Sequence, residues 1–141
     1  MSKRMVYLSG PMDGVSIEEG NGWRLKATEF LNLHDFDVYN PYARSLHESK
    51  DEKTGKEVHD NDIFWLDKSD VVLANLTMPE TIKSKDSLFF TIGEIYLADR
   101  DRKPIIAFTN CFSHRAGYQA TITKSVKDLE EALDYIVTHY I

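Results

Sequence analysis

"DVVLANL", residues 70–76, runs Val71-Val72-Leu73-Ala74 without a polar break before Asn75. A strand with one wet face alternates apolar and polar residues, whereas a continuous β-branched run is buried on both faces. That pattern belongs to a parallel sheet covered by helices. "KPIIAFT" at 103–109 and "VYLSG" at 6–10 have the same character, and the latter feeds a tight Gly-Pro loop. "FDVYNP" at 36–41 reads as a shorter strand closed by Asn-Pro, and "YQATIT" at 118–123 predicts a fifth.

Helical spacing fills the intervals. Ser16 and Glu19 form a capping-box pattern ahead of Trp23, Ala27, Phe30 and Leu31, which predicts a helix over 16–33. In "VHDNDIFWLDKSD", Val58, Trp65, Leu66 and Ser69 share one face of a helix over 56–68, and a third helix carries "TIGEIYLADR". Ser125 with Asp128 predicts the start of a last helix striped by Val126, Leu129, Leu133, Ile136, Val137 and Tyr140. Alternating strands and helices make the class α/β, a single domain spanning 1–141 with helices on both faces. Five strands predict the flavodoxin-like parallel order 2-1-3-4-5. Its switch point lies between strands one and three, so a ligand is expected where the loops after Gly10 and Asn75 meet.

Composition narrows the functions. With 42% hydrophobic and 28% charged residues the chain reads as an ordinary globule, and no apolar run approaches the ~20 residues of a membrane span. The basic N-terminus passes straight into a strand, so the mature protein is expected to begin at Met1. Cys111 is the single cysteine, which rules out an internal disulfide and suits a reducing, cytoplasmic setting. A net charge of −6 argues against a nucleic-acid polymer as partner but leaves small nucleotides open. The mixed-charge run at 47–60 reads as a solvated loop. Neither GxGxxG nor GxxxxGK[ST] occurs, the five histidines have no HExxH spacing, and there is no GxSxG elbow. No cofactor or metal is expected.

Two acids sit where apolar residues belong. Glu94 lies within a largely apolar helix, crowded by Phe90, Leu97 and Ala98 at helical spacing, and Asp62 interrupts the inward face of the helix over 56–68. Asp62 reads equally as a loop-bonding side chain, but a buried carboxyl must be paired, hydrogen-bonded or protonated. The topology brings both toward the strand-end crevice, and paired carboxyl groups suit glycosidic bond cleavage. Tyr7 on strand one is either core or a hydroxyl that orients a carboxylate.

These residues carry a resemblance. "VYLSGP" at the first strand, "NP" after the second, "VHDNDIFWLDKSDVVLANL" at 58–76 and "TIGEIYLADRDRKPII" at 91–106 resemble the nucleoside 2-deoxyribosyltransferase family and its nucleotide N-hydrolase relatives, over roughly residues 5–108. The resemblance implies that Glu94 is the nucleophile, that Asp62 bonds the base and moves its proton, and that Tyr7 holds Glu94. Substrate contacts are expected at Ser9, Gly10, Met12, Asn40, Asn75, Asp86 and Ser87, and at His114 and Tyr118 of the poorly matched segment 110–124, which are candidates for completing a site across a subunit boundary. Departures occur: Phe90 and Tyr96 stand where the family's G-T-x-x-E-x-G-x-A pattern has glycines, and Leu88 stands six residues before Glu94 where an Asp or Ser is usual.

The implied reaction takes a deoxynucleoside or deoxynucleotide together with a free nucleobase. The hydrolase branch grips a 5′-phosphate with a basic loop after strand one. "SGPMDGVS" has no basic residue and contains Asp13, which favours a nucleoside and transfer, although Lys83, Lys85, Ser87 or His114 keep a phosphate open. A non-catalytic nucleotide-binding module is the remaining alternative. The resemblance also implies a homo-oligomer with shared sites.

Overall fold

The run that decides the class is the central strand of the sheet. In the computed structural model, which describes residues 3–12, 16–42, 55–78 and 88–141, Val71–Asn75 lies between neighbours on both sides, with its first four residues buried. The elements in chain order are β1 (Met5–Ser9), α1 (Ile17–Leu33), β2 (Asp37–Tyr39), α2 (Gly55–Lys68), β3 (Val71–Asn75) and α3 (Phe89–Arg100). β4 (Ile105–Phe108), α4 (Ala116–Thr121), β5 (Lys124–Val126) and α5 (Leu129–His139) complete them. All strand pairs are parallel, in the order β2-β1-β3-β4-β5. This is the flavodoxin-like order expected from the sequence.

Side chains leave the sheet alternately, and the two faces bury different sets. Val6, Leu8, Val71, Leu73, Ile106 and Phe108 pack with Ala27 and Leu31 of α1 and Ala132, Leu133 and Ile136 of α5. Tyr7, Tyr39, Val72, Ala74, Ile105 and Ala107 pack with Leu66 of α2, Ile95 and Ala98 of α3 and Tyr118 of α4. Tyr7 therefore belongs to the face that α2 and α3 cover. No helix among the described residues is long and apolar enough to cross a membrane.

Ser16 caps α1 as its spacing predicts: its Oγ accepts from the Glu19 N–H at 3.1 Å and donates to Glu19 Oε1 at 3.0 Å. Three expectations are corrected. The segment 118–123 is not a strand: its first four residues close α4, and β5 follows at Lys124–Val126. Tyr118 and Thr121, one helical turn apart, are both buried, while Thr123 bonds the backbone of Ile105 in both directions and Lys124 enters register with Ile106. Ser125 does not start the last helix. It lies in β5, where its Oγ is 2.6 Å from the Tyr118 hydroxyl, and the N-cap is Asp128, whose carboxylate accepts from the Glu131 N–H at 3.0 Å. Third, the buried side of α3 is Thr91, Glu94, Ile95 and Ala98, while Phe90 turns outward.

Candidate active site

Glu94 stands in the second turn of α3, 6% exposed, against the carboxyl end of β1. Tyr7 and Ser9, two residues apart on β1, project from the same face of the strand. Both donate to it: the Tyr7 hydroxyl to Oε2 and the Ser9 hydroxyl to Oε1 at 3.0 Å. Each carboxylate oxygen thus has its own hydroxyl donor, which fixes the group's plane. Burial raises the Glu94 pKa to about 7, opposed by the Tyr7 hydrogen bond, raised further by Asp62 and opposed again by Ser9 and Arg24. Burial and the nearby Glu94 push the Tyr7 phenol upward, so it stays a proton donor at neutral pH.

Asp62 is reached through the neighbouring strand. Tyr39 on β2 is the register partner of Tyr7, and their ring centroids are 5.4 Å apart. The Tyr39 hydroxyl donates to Asp62 Oδ1 at 3.2 Å, and Trp65, one turn after Asp62 on α2, stacks on the Tyr39 ring at 5.3 Å. Two adjacent tyrosines therefore hold two carboxyl groups over one end of the sheet, and each group acts electrostatically on Tyr7. This arrangement rests on the β1–β2 register; slipping it by one residue would put Tyr39 on the other face.

Gly10 follows β1 in tight packing. A Cβ there would lie 3.0 Å from the Asn75 carbonyl oxygen and 3.0 Å from the Trp23 ring, so the loops after β1 and β3 meet where the topology predicts. Met12 is half-buried just beyond. The Asn75 and Asn40 side chains make local turns: Asn75 Oδ1 accepts from the Thr77 N–H at 2.9 Å and Asn40 Oδ1 from the Tyr42 N–H at 3.0 Å. Asn40 also donates to Asn21 Oδ1 at 3.2 Å. Neither His114 nor Tyr118 hydrogen-bonds Glu94 among the described residues. His114 is exposed, and the Tyr118 hydroxyl is bonded to Ser125. Asp86 and Ser87, like Asp13, Lys83 and Lys85, lie outside the described residues.

Two participants were not singled out in the sequence. Tyr39 bonds Asp62, and Arg24 of α1, 1% exposed, carries a buried guanidinium to the same end of the sheet. Its Nη2 donates to the Gly10 carbonyl at 2.8 Å and its Nη1 to the Gly20 carbonyl, while Nε has no partner among the described residues. An unpartnered buried donor costs about 1–3 kcal/mol. The available signal was spacing, since Arg24 precedes Ala27 and Leu31 by three and seven residues and so shares their buried face.

A cavity of about 360 Å³ lies beyond the site between α3 and α4, lined by Ile92, Ile95, Tyr96, Phe112 and Tyr118 among others. Glu94, Asp62, Tyr7 and Ser9 do not line it, and the hydrogen-bonded carboxyl groups mark the chemistry better than this void. Among the described residues, no three of His, Cys, Asp and Glu gather as a metal site requires.

The sequence model of one family, nucleoside 2-deoxyribosyltransferase, matches residues 6–130. The chain belongs to that family. Members act on deoxynucleosides and nucleobases. A comparison with curated proteins finds no match. Among solved structures, the chain is similar to a 2-deoxyribosyltransferase from Bacillus psychrosaccharolyticus, with 17% identity, TM-score 0.72, and 93% of this chain and 91% of that one covered. It is similar to a 2-deoxyribosyltransferase from Leishmania mexicana at 13% identity and TM-score 0.67, covering 98% and 99%. A CMP N-glycosidase from Clostridium botulinum aligns at 16% identity and TM-score 0.55, covering 96% and 99%. At these identities the structural likeness speaks to the fold. Within the deoxyribosyltransferase pattern, Tyr96, at a usual glycine position, is 53% exposed and packs so near Gly117 that a Cβ there would be 2.8 Å from its hydroxyl.

Proposed function

We propose that this deoxyribosyltransferase-family protein cleaves the N-glycosidic bond of a 2′-deoxyribonucleoside and passes the deoxyribosyl group to a second nucleobase. The observation that carries the reading is the buried Glu94 carboxyl, held by the Tyr7 and Ser9 hydroxyls beside a second acid, Asp62. Ionised Glu94 attacks C1′ of the sugar; the C1′–N bond breaks, and its electron pair leaves with the base, which takes a proton through Asp62. The deoxyribosyl ester on Glu94 is then attacked by a nitrogen of the incoming base, whose proton returns through Asp62, and Glu94 leaves as carboxylate. Two inversions give net retention. Fixing the carboxylate by two hydroxyls limits its motion, which supports attack from one geometry.

Transfer is preferred to hydrolysis of a 5′-monophosphate. The loop after β1 has no basic residue of its own, and the guanidinium that reaches it, Arg24, faces inward. In the proposed assembly the partner is a second copy of the chain. Exposed apolar side chains on α2 and α3, namely Phe64, Phe89, Phe90, Ile92 and Tyr96, support a homo-oligomer.

The test is incubation with a deoxynucleoside plus a different free base, and separately with a deoxynucleoside 5′-monophosphate alone. A new nucleoside in the first and no sugar phosphate in the second is the expected result; free base with sugar phosphate would establish the hydrolase instead. Glu94→Ala is expected to lower turnover by about 10⁴-fold or more with the fold unchanged by circular dichroism. Full activity in that variant would remove Glu94 as nucleophile.

A further inference from the structure

The proposed chemistry uses two acids and a tyrosine, and leaves Arg24 unexplained. Arg24 belongs to α1, which packs on the sheet face opposite Glu94, yet its guanidinium passes the carboxyl end of β1 to bond Gly10. The ring of Trp23 lies 4.7 Å from the guanidinium carbon and that of Tyr42 5.8 Å from it. A side chain needed only to tie down two carbonyl groups has no use for a charge, and a buried charge with an unpartnered Nε is costly unless an anion compensates it. The groups whose charge acts on Arg24 are Glu94 on α3, Tyr7 on β1, Asp62 on α2, and Tyr42; Glu94 feels the hydrogen bonds of Tyr7 and Ser9 and the charges of Asp62 and Arg24.

Resting on the reading of Glu94 as nucleophile, we propose that Arg24 is a positioning residue. It holds the Gly10 carbonyl, and with it the end of β1 that presents Tyr7 and Ser9, and its buried positive charge offsets the negative charge Glu94 must carry to attack. Burial lowers the Arg24 pKa to about 10, which still leaves it protonated at neutral pH. The cation acts from behind the crevice wall, so it supports the nucleophile without occupying the space of the sugar.

The experiment reads Glu94 directly. The side-chain carboxyl ¹³C resonance of Glu94, assigned by its loss in Glu94→Gln, is titrated in the parent protein and in Arg24→Met and Arg24→Lys. Methionine keeps an unbranched stem and removes the charge; lysine keeps the charge and loses the planar fork. Arg24→Met is expected to move the midpoint upward by about half to one pH unit. Arg24→Lys is expected to leave it in place while lowering Tm, because the bonds to Gly10 and Gly20 are disrupted. An unmoved midpoint in Arg24→Met overturns the proposal and makes Arg24 structural. If Arg24→Met does not fold, Arg24→Gln, which retains a donor for Gly10, gives the same two outcomes. The readout needs no turnover. A shifted midpoint in a protein inactive on every deoxynucleoside would sink the enzymatic reading alone, whereas activity with an unmoved midpoint would sink only the role of Arg24.

Discussion

Glu94 combines burial, which favours its neutral form, with two hydroxyl donors, which favour the anion, and burial is the larger effect. Its pKa rises from 4.5 to about 7 in the folded chain. The native state therefore keeps a proton that the unfolded chain releases, and linkage gives the sign: this group's contribution is fully present below pH 4.5 and is lost as pH rises through about 7. The loss is on the order of 3 kcal/mol. Chemical denaturation of the parent and of Glu94→Gln at pH 5 and pH 8 checks it. The parent is expected to lose stability relative to the variant across that interval, and parallel curves would show that Glu94 titrates normally. The same pKa predicts kcat/KM rising through pH 7, since the ionised form attacks. Both acids stood out in the sequence because each interrupts an apolar face. Arg24 did not, because a charged residue on an amphipathic helix reads by default as solvated, and only the chain folded around it makes it buried.

At the scale of elements, periodicity located the helices and central strands and failed where contacts across the sheet decide. Thr121, Ile122 and Thr123 are β-branched and suit a strand, but Tyr118 and Thr121 gain burial as one turn of α4, and the strand starts only where β4 offers partners. The end of α3 offers a prediction. Lys103 N–H bonds the Ala98 carbonyl and Arg102 N–H the Asp99 carbonyl, a Schellman closure that puts exposed Arg102 at φ 59°. A residue with a Cβ is strained there, and glycine is not. Arg102→Gly is expected to stabilise by about 0.5–1 kcal/mol, raising Tm by roughly 2–4 °C in calorimetry. A lowered Tm would mean that the arginine side chain contributes more than its backbone strain costs.

At the scale of the whole molecule, the sheet order gathers Tyr7 and Ser9, Tyr39 with Asp62, and Glu94 at one end, while α2 and α3 leave aromatic residues exposed beside them. If those apolar side chains are covered by a second copy, light scattering after size exclusion will give at least twice the 16.2 kDa chain mass, and Phe89→Glu will shift the protein toward monomer. A monomer at every concentration tested would remove the shared-site arrangement. The sequence by itself determined the α/β class, the strand order and the two misplaced acids, because these follow from local periodicity and from the energetic penalty on a carboxyl group among apolar neighbours. Only the tertiary structure decided that two tyrosines in register would link those acids, and that an arginine from the opposite layer would be buried behind them. Such contacts join positions 14 to 87 residues apart, and no spacing rule along the chain encodes which distant side chains a parallel register will bring together.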